Sequence, residues 1–358
     1  MARHLPSFLR PRALVLLVAL AAALLIAACT GESAPPKWDA RSVATSIKDA
    51  PFTPVVLNGN IGRERSRVAI ALFKPDQTLV LQGEITAKFF RIANDPEKEP
   101  TQGVLVSETG MTARTIDVAA EHDGHSMRFD RDERAGRTID VALRTSAGTT
   151  IDGLVIPAHD GALSTIFTGT VDFTETGMWG AQLQVKTGGK TYRDLLVTFA
   201  VLDRTAEPSI GAPAPATRQK LAKDVADIAE ITSATKPIRE LQEMTVADSI
   251  ASGKPTVVAF VTPSFCQTRF CGPVLNTVVI PAYRQYQGRV NVIHIEPVDL
   301  AAARKGTLTS SAAAREWNLR TEPFIFILDG KGNVAAKLEG IIDFAEVKQT
   351  LDALLAGN

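Results

Sequence analysis

Apolar and polar positions divide the chain into stretches with different rhythms. Residues 13–28, ALVLLVALAAALLIAA, are apolar and uncharged, and the preceding MARHLPSFLRPR is basic. A basic segment followed by such an apolar run reads as an export signal over 1–28. Residues 29–54 show little periodicity and read as a flexible tether. From 55 to 205 short apolar stretches are broken by turn residues, and several alternate, as in Ala181-Gln182-Leu183-Gln184-Val185. They predict strands at 67–73, 86–91, 103–107, 115–119, 138–143, 163–171, 180–187 and 195–202. The breakers are Lys74-Pro75-Asp76, Asp123-Gly124, Ala147-Gly148 and Thr187-Gly188-Gly189. Strands of this number and spacing predict a small β-sandwich.

The rhythm changes after a Pro/Ala-rich, stiff segment at 207–215, so 206–240 reads as a linker and helical connection. Within 241–358 the unbroken run Thr256-Val257-Val258-Ala259-Phe260-Val261 predicts a buried parallel strand. A helix follows, kinked by Pro281 and ended near Gly288. Further elements are a strand at 289–295, a short helix at 310–317 capped by Ser310 or Ser311, and a closing amphipathic helix at 343–355. Strands at 324–328 and 333–338 flank the turn Asp329-Gly330-Lys331-Gly332. The order is β-α-β-α-β-β-α. The whole is thus an all-β sandwich followed by an α/β domain.

Composition narrows the function. The 358 residues carry 39 Lys+Arg and 39 Asp+Glu. Without Arg3, Arg10 and Arg12 of the amino-terminal stretch, 36 bases face 39 acids, a balance of −3. That excludes a nucleic-acid binder working by phosphate neutralisation. Three cysteines are too few for a disulfide-stapled scaffold, and five scattered histidines give no His-rich metal site. No cofactor is expected. His122, His125 and Met127 surround Asp123-Gly124; the run reads first as a solvated turn, and would attract copper if exposed.

Several motifs carry resemblances. Ile26-Ala27-Ala28-Cys29 resembles a bacterial lipobox, which implies acylation of Cys29. The body would then be held at the extracytoplasmic face of a membrane, in the periplasm or at the cell surface. Gly177-Met178-Trp179-Gly180 resembles a turn of immunoglobulin-like accessory domains in exported bacterial proteins, with Trp179 plugging one end of the sandwich. Residues 240–356 resemble the thioredoxin fold. An apolar strand runs into a cysteine pair at a helix start, a proline kinks that helix, and Arg320-Thr321-Glu322-Pro323-Phe324 leads into the strand where thioredoxins place a cis-proline. The layout is similar to exported thioredoxin-like lipoproteins with an added β-domain. Two partial likenesses accompany it. Phe260-Val261-Thr262 before a close cysteine pair resembles copper-handling SCO proteins. Thr268-Arg269-Phe270-Cys271 resembles the Thr-x-x-Cys of peroxiredoxins, although Pro263 lies one residue too far upstream.

The resemblance implies thiol–disulfide exchange on an exported client protein or a membrane-bound reductase. Cys266, Cys271 and Pro323 would form the catalytic set, with Thr268, Arg269 and Thr321 in support. A Cu(I) carrier, a thiol peroxidase and a non-catalytic binding lipoprotein with a structural disulfide are the alternatives.

The spacing departs from the family. Thioredoxins use Cys-x-x-Cys and SCO proteins Cys-x-x-x-Cys, whereas here the pair is Cys-x-x-x-x-Cys. On one straight helix the two Cα atoms would stand about 8.7 Å apart, beyond the ~7 Å a disulfide tolerates. Cys271-Gly272-Pro273 looks like a helix start, so Cys266 belongs to the preceding loop, able to fold back. Orphan N–H groups at the helix start favour Cys271 as thiolate; order within the family favours Cys266. Both stay open here. A cis Pro323 would set the 321–323 backbone beside the pair, where a partner peptide could join the edge. His294 reads as a packed strand histidine, with a ligand or general base as the second reading. Glu296 and Asp299 read as loop solvation, and Trp317 as packing for the short helix.

Overall fold

The computed structural model describes residues 38–39, 42–92, 102–118, 143–144, 150–151 and 163–357. Cys29, the His122, His125 and Met127 run, the Asp123-Gly124 and Ala147-Gly148 turns and residues 138–142 lie outside the described residues.

Among the described residues an all-β part is followed by an α/β part. The strands of the first are β1 (Trp38–Asp39), β2 (Thr53–Val56), β3 (Arg65–Phe73), β4 (Glu84–Arg91) and β5 (Gln102–Asp117). After them come β6 (Leu143–Arg144), β7 (Thr150–Ile151), β8 (Leu163–Asp172), β9 (Gly177–Thr187) and β10 (Lys190–Val201). β6 and β7 pair only with each other. The rest form one sheet in the order β10-β9-β4-β5-β8-β3-β2, with β1 added to β5.

The expected immunoglobulin-like sandwich holds at the coarser level of an all-β, nearly closed barrel, in which β10-β9-β4 and β8-β3-β2 are two halves joined through β5. The predicted strand 103–107 and residues 115–117 of the next lie in a single strand running through Gly110, whose first part pairs with β4 and whose last part pairs with β8. The sheet turns on this shared strand and nearly closes as a barrel. At the seam Leu202 N–H donates to Ile61 O and Arg63 N–H to Leu202 O, both at 2.8 Å.

Alternation fills the barrel as the pattern predicts: Trp179, Ala181, Leu183 and Val185 of β9 point into the core with Val68, Ile70 and Leu72 of β3. Trp179 is fully buried, its ring edge-on to Phe173 at 4.9 Å and its Nε1–H bonded to Glu175 O. Gly188 and Gly189, at φ +56° and +72°, form the tight turn between β9 and β10.

The tether needs correction too. Trp38–Asp39 pairs with β5, and Thr53–Val56 pairs with β3. Trp38 is buried because two strand glycines make room for its ring; a Cβ on Gly180 would stand 2.5 Å from it, and one on Gly103 2.9 Å from the Trp38 Cβ.

β3 is buried on both faces. Ala69, Ala71 and Phe73 turn away from the barrel and share an apolar cluster with Val274, Val278 and Ile342 of the α/β part. Arg67 crosses the same boundary, donating to Glu346 Oε1 (2.7 Å), Glu339 O (2.9 Å) and Ile341 O (2.7 Å). Arg114 reaches Asp343 at 3.1 Å, and Lys337 reaches Glu64 and Glu207. The 207–215 segment lies along the second part, with Gly211 N–H bonded to Val334 O and Ala214 N–H to Gly332 O.

The second part has a four-stranded sheet, β12-β11-β13-β14, made of β11 (Thr256–Phe260), β12 (Asn291–Ile295), β13 (Phe324–Leu328) and β14 (Val334–Glu339). β11 runs parallel to β12 and antiparallel to β13. This is the order and pairing that the β-α-β-α-β-β-α reading requires. Ser311 caps the helix Ala312–Glu316, and Asp343 caps Phe344–Ala356. Buried Trp317 packs on Phe326 at 4.5 Å and bonds Thr217 through Nε1–H. No described helix is long and apolar enough to cross a membrane.

Candidate functional site

The two cysteines lie where β11 hands over to a helix. The helix begins with Cys271–Val274, passes through a π-turn at Leu275–Val279, and continues as Ile280–Gln285. The expected kink at Pro281 is taken up by that π-turn, because proline offers no N–H to the carbonyl four residues back. The loop before the helix is pinned by Ser264, whose N–H donates to Ser233 Oγ (3.1 Å) and whose hydroxyl donates to Ser233 O (2.6 Å). Arg269 takes φ +65°, a left-handed conformation, and the chain reverses there.

That reversal folds Cys266 back onto the helix start. The Cys271 amide N–H donates to Cys266 Sγ at 3.3 Å, and the Thr268 hydroxyl lies 3.3 Å from the same sulfur. Thr268 also donates to Glu322 O at 3.2 Å. One hydroxyl proton thus faces two acceptors, the sulfur and the carbonyl. Both cysteines are free thiols; Cys266 is partly exposed and Cys271 buried.

Their acidities diverge. Burial raises the Cys266 thiol, but hydrogen bonds from the Cys271 side chain, Thr268 and the Cys271 amide outweigh it and leave the group below its ordinary value. Burial pushes Cys271 well above the usual thiol range, and its hydrogen bond to Cys266 adds to this. The helix start therefore favours Cys266 as thiolate rather than Cys271. The N–H at the helix mouth is spent on the sulfur that comes back to it from the loop.

Pro323 follows a cis peptide bond, and its carbonyl accepts from Gly340 N–H at 3.0 Å. The Thr321 hydroxyl is taken by Glu339 Oε1 at 2.6 Å, so its partner is a carboxylate of β14 and not a sulfur. Arg269 is exposed, with its side chain in solvent.

Two carboxylates near the sulfurs were not singled out as site residues by the sequence pattern. Glu322, next to Pro323, accepts from Gln267 N–H at 3.2 Å, is pushed up by burial, and opposes ionisation of both cysteines. Glu296 corrects the loop-solvation reading. It is buried and accepts from Ser233 N–H at 2.6 Å, and burial raises its pKa. Its second oxygen and the Thr262 hydroxyl are both buried, and the Thr262 side chain eases part of the rise in its pKa, while the Thr262 backbone eases part of the rise at Cys271. Asp299 caps the helix Leu300–Ala303 by accepting from Ala302 N–H. His294 has both ring nitrogens occupied, Nδ1 by the Gln242 side chain and Nε2 by Val261 O, each at 2.9 Å. With both nitrogens taken by buried partners, it is a packing histidine. Among the described residues no three His, Cys, Asp or Glu side chains converge as a metal site.

No family model and no curated protein matches the chain. Among solved structures it is similar to a thiol:disulfide interchange protein of the thioredoxin family from Chlorobium tepidum TLS. The identity is 16%, covering 31% of this chain and 86% of that one, with a TM-score of 0.24. It is also similar to a thioredoxin-like superfamily protein, at 15% identity over 36% of this chain and 95% of that one, with a TM-score of 0.23. The resemblance to thioredoxin-family folds is weak and confined to part of the chain.

Proposed function

We propose that the protein is an extracytoplasmic thiol–disulfide exchange protein, lipid-anchored through Cys29, that acts on thiols of exported proteins through Cys266 and Cys271. The observation that carries this reading is the 3.3 Å contact of Cys271 N–H with a partly exposed Cys266 sulfur, backed by a buried second thiol.

In the reducing direction the Cys266 thiolate attacks one sulfur of a client disulfide. The Cys266–client bond forms as the client S–S bond breaks, and the leaving client thiolate takes a proton from water. Cys271 then loses its proton and attacks Cys266 Sγ. A Cys266–Cys271 disulfide forms, the second client thiol leaves, and two electrons have passed to the client. The Cys271 proton passes, by way of water, to that second client sulfur as it leaves. A membrane-bound reductase returns the electrons. The reverse sequence oxidises a dithiol client.

A peroxidase working through Cys271 needs that sulfur as an accessible thiolate, and the burial of Cys271 disfavours it. The test is the reduction potential of the pair together with turnover of a small disulfide. The reading expects exchange that is lost in Cys266→Ser. A potential far below about −300 mV with no exchange would leave a structural disulfide in its place.

A further inference from the structure

One carboxylate at the site stands close to both sulfurs. Glu322 sits between the cis peptide and the loop of Cys266, accepts a single hydrogen bond, from Gln267 N–H, and has no ion pair among the described residues. Its negative charge bears on both sulfurs. A carboxylate in this place takes back part of the acidity that the hydrogen bonds give Cys266, and a cation set against it would restore that part while a client is bound. The bases on the two flanking loops, Arg269 and Arg320, are solvent-exposed. Among the described residues no base pairs with Glu322, and a client can supply one.

The position of Glu322 says what kind of cation. Its carboxylate hydrogen-bonds the residue next to Cys266, and its carbonyl is tied through Thr268 to the Cys266 sulfur. The acid is thus held one residue's reach from the reacting atom. A client cysteine bonded to Cys266 places its own chain neighbours about 3.8 Å further along its backbone, so a lysine or arginine there comes within reach of Glu322. A bound metal ion is not favoured, since among the described residues no three His, Cys, Asp or Glu side chains converge as ligands, Cys266, Cys271 and Glu322 included.

We infer that Glu322 is a specificity-determining residue that receives the ammonium or guanidinium group of a client whose reactive cysteine is flanked by lysine or arginine. The inference rests on the exchange reading and narrows its substrate class.

Three peptides with one cysteine each, flanked by arginine, serine or glutamate and capped as mixed disulfides with uncharged 2-thiopyridine, test it. The reduced full chain in non-ionic detergent releases the chromophore, and second-order rate constants are compared. At low salt the arginine peptide reacts about tenfold faster than the serine peptide, the benefit of one ion pair at about 6 Å in a half-solvated setting. High salt shrinks this ratio. Glu322→Gln, which keeps the acceptor oxygen for Gln267, brings the ratio close to one and speeds the serine peptide. Glu322→Lys favours the glutamate peptide. An arginine-to-serine ratio that is the same in the wild type and Glu322→Gln overturns the inference while leaving exchange intact. Failure of the wild type to react with any of the three overturns the exchange reading and this inference with it.

Discussion

The amide of Cys271 is hydrogen-bonded to the sulfur of Cys266 at 3.3 Å, so the first N–H of the helix serves the loop cysteine rather than a capping side chain. The partly exposed thiol is the acidified one, and the buried thiol is the reluctant one. Limiting iodoacetamide on the reduced protein should label Cys266 ahead of Cys271 by at least about tenfold. The labelling rate of Cys266 should reach its plateau at lower pH than a free cysteine, whose pKa is about 8.5. Peptide mass mapping reads both, and equal labelling of the two sulfurs would contradict the asymmetry.

Thr268 touches both the reactive sulfur and the carbonyl before Pro323. Thr268→Val keeps the shape and removes one hydrogen bond to the thiolate, so the Cys266 pKa rises. At pH 7 the thiolate fraction, and with it the exchange rate, should fall about 3- to 10-fold. Thr268→Ser should retain most of the activity. Ultraviolet thiolate absorbance against pH separates this from a folding defect: the titration moves upward while the protein stays folded.

What the sequence made legible is local. The alternation at 180–187 lies within Gly177–Thr187, and the apolar run from Thr256 is the central strand of its sheet. The five-residue cysteine spacing forced Cys266 into the loop by geometry alone, and it is there. What was not legible depends on partners far away along the chain. Trp38 joins the barrel because of glycines at 103 and 180. The second face of β3 is buried by a helix some 200 positions later. Glu296 and Glu322 look like ordinary loop acids until Ser233 and Gln267 turn their N–H groups onto them. The helix dipole argument chose Cys271 because it counted N–H groups near that residue's own backbone; the sulfur that uses them arrives through the reversal at Arg269.

Burial of Glu296 has a consequence for stability. Its pKa in the folded protein lies above the ordinary value of 4.5, so ionisation favours the unfolded chain. The wild type therefore keeps its full stability below pH 4.5 and loses this contribution as pH rises through the raised value. Glu296→Gln retains an acceptor for Ser233 and carries no charge. Thermal melts across pH should find the variant close to the wild type at acid pH and gaining on it toward neutrality. A constant difference across that range would mean that the carboxylate does not ionise at a raised pKa.

Arg67 binds the barrel to the α/β part through Glu346 and two backbone carbonyls, and its side chain is 8% exposed. Arg67→Met keeps the length and apolar stem but strips a cation from a buried carboxylate and leaves Glu339 O and Ile341 O without that donor. Breaking a buried pair from one side costs about 3–5 kcal/mol. Arg114, 3.9 Å from Glu346, remains to share the charge and holds the loss near the lower end, about 3 kcal/mol. Because Ala69, Ala71 and Phe73 pack in one apolar cluster with the cysteine helix, the two parts should unfold together. Urea titration followed by amide hydrogen exchange should show β3 and β11 losing protection in one transition, moved to lower urea in the variant. Two separate transitions in the wild type would show that the shared cluster does not couple them. The barrel would then be a detachable neighbour of the cysteine pair rather than part of the wall that buries Cys271.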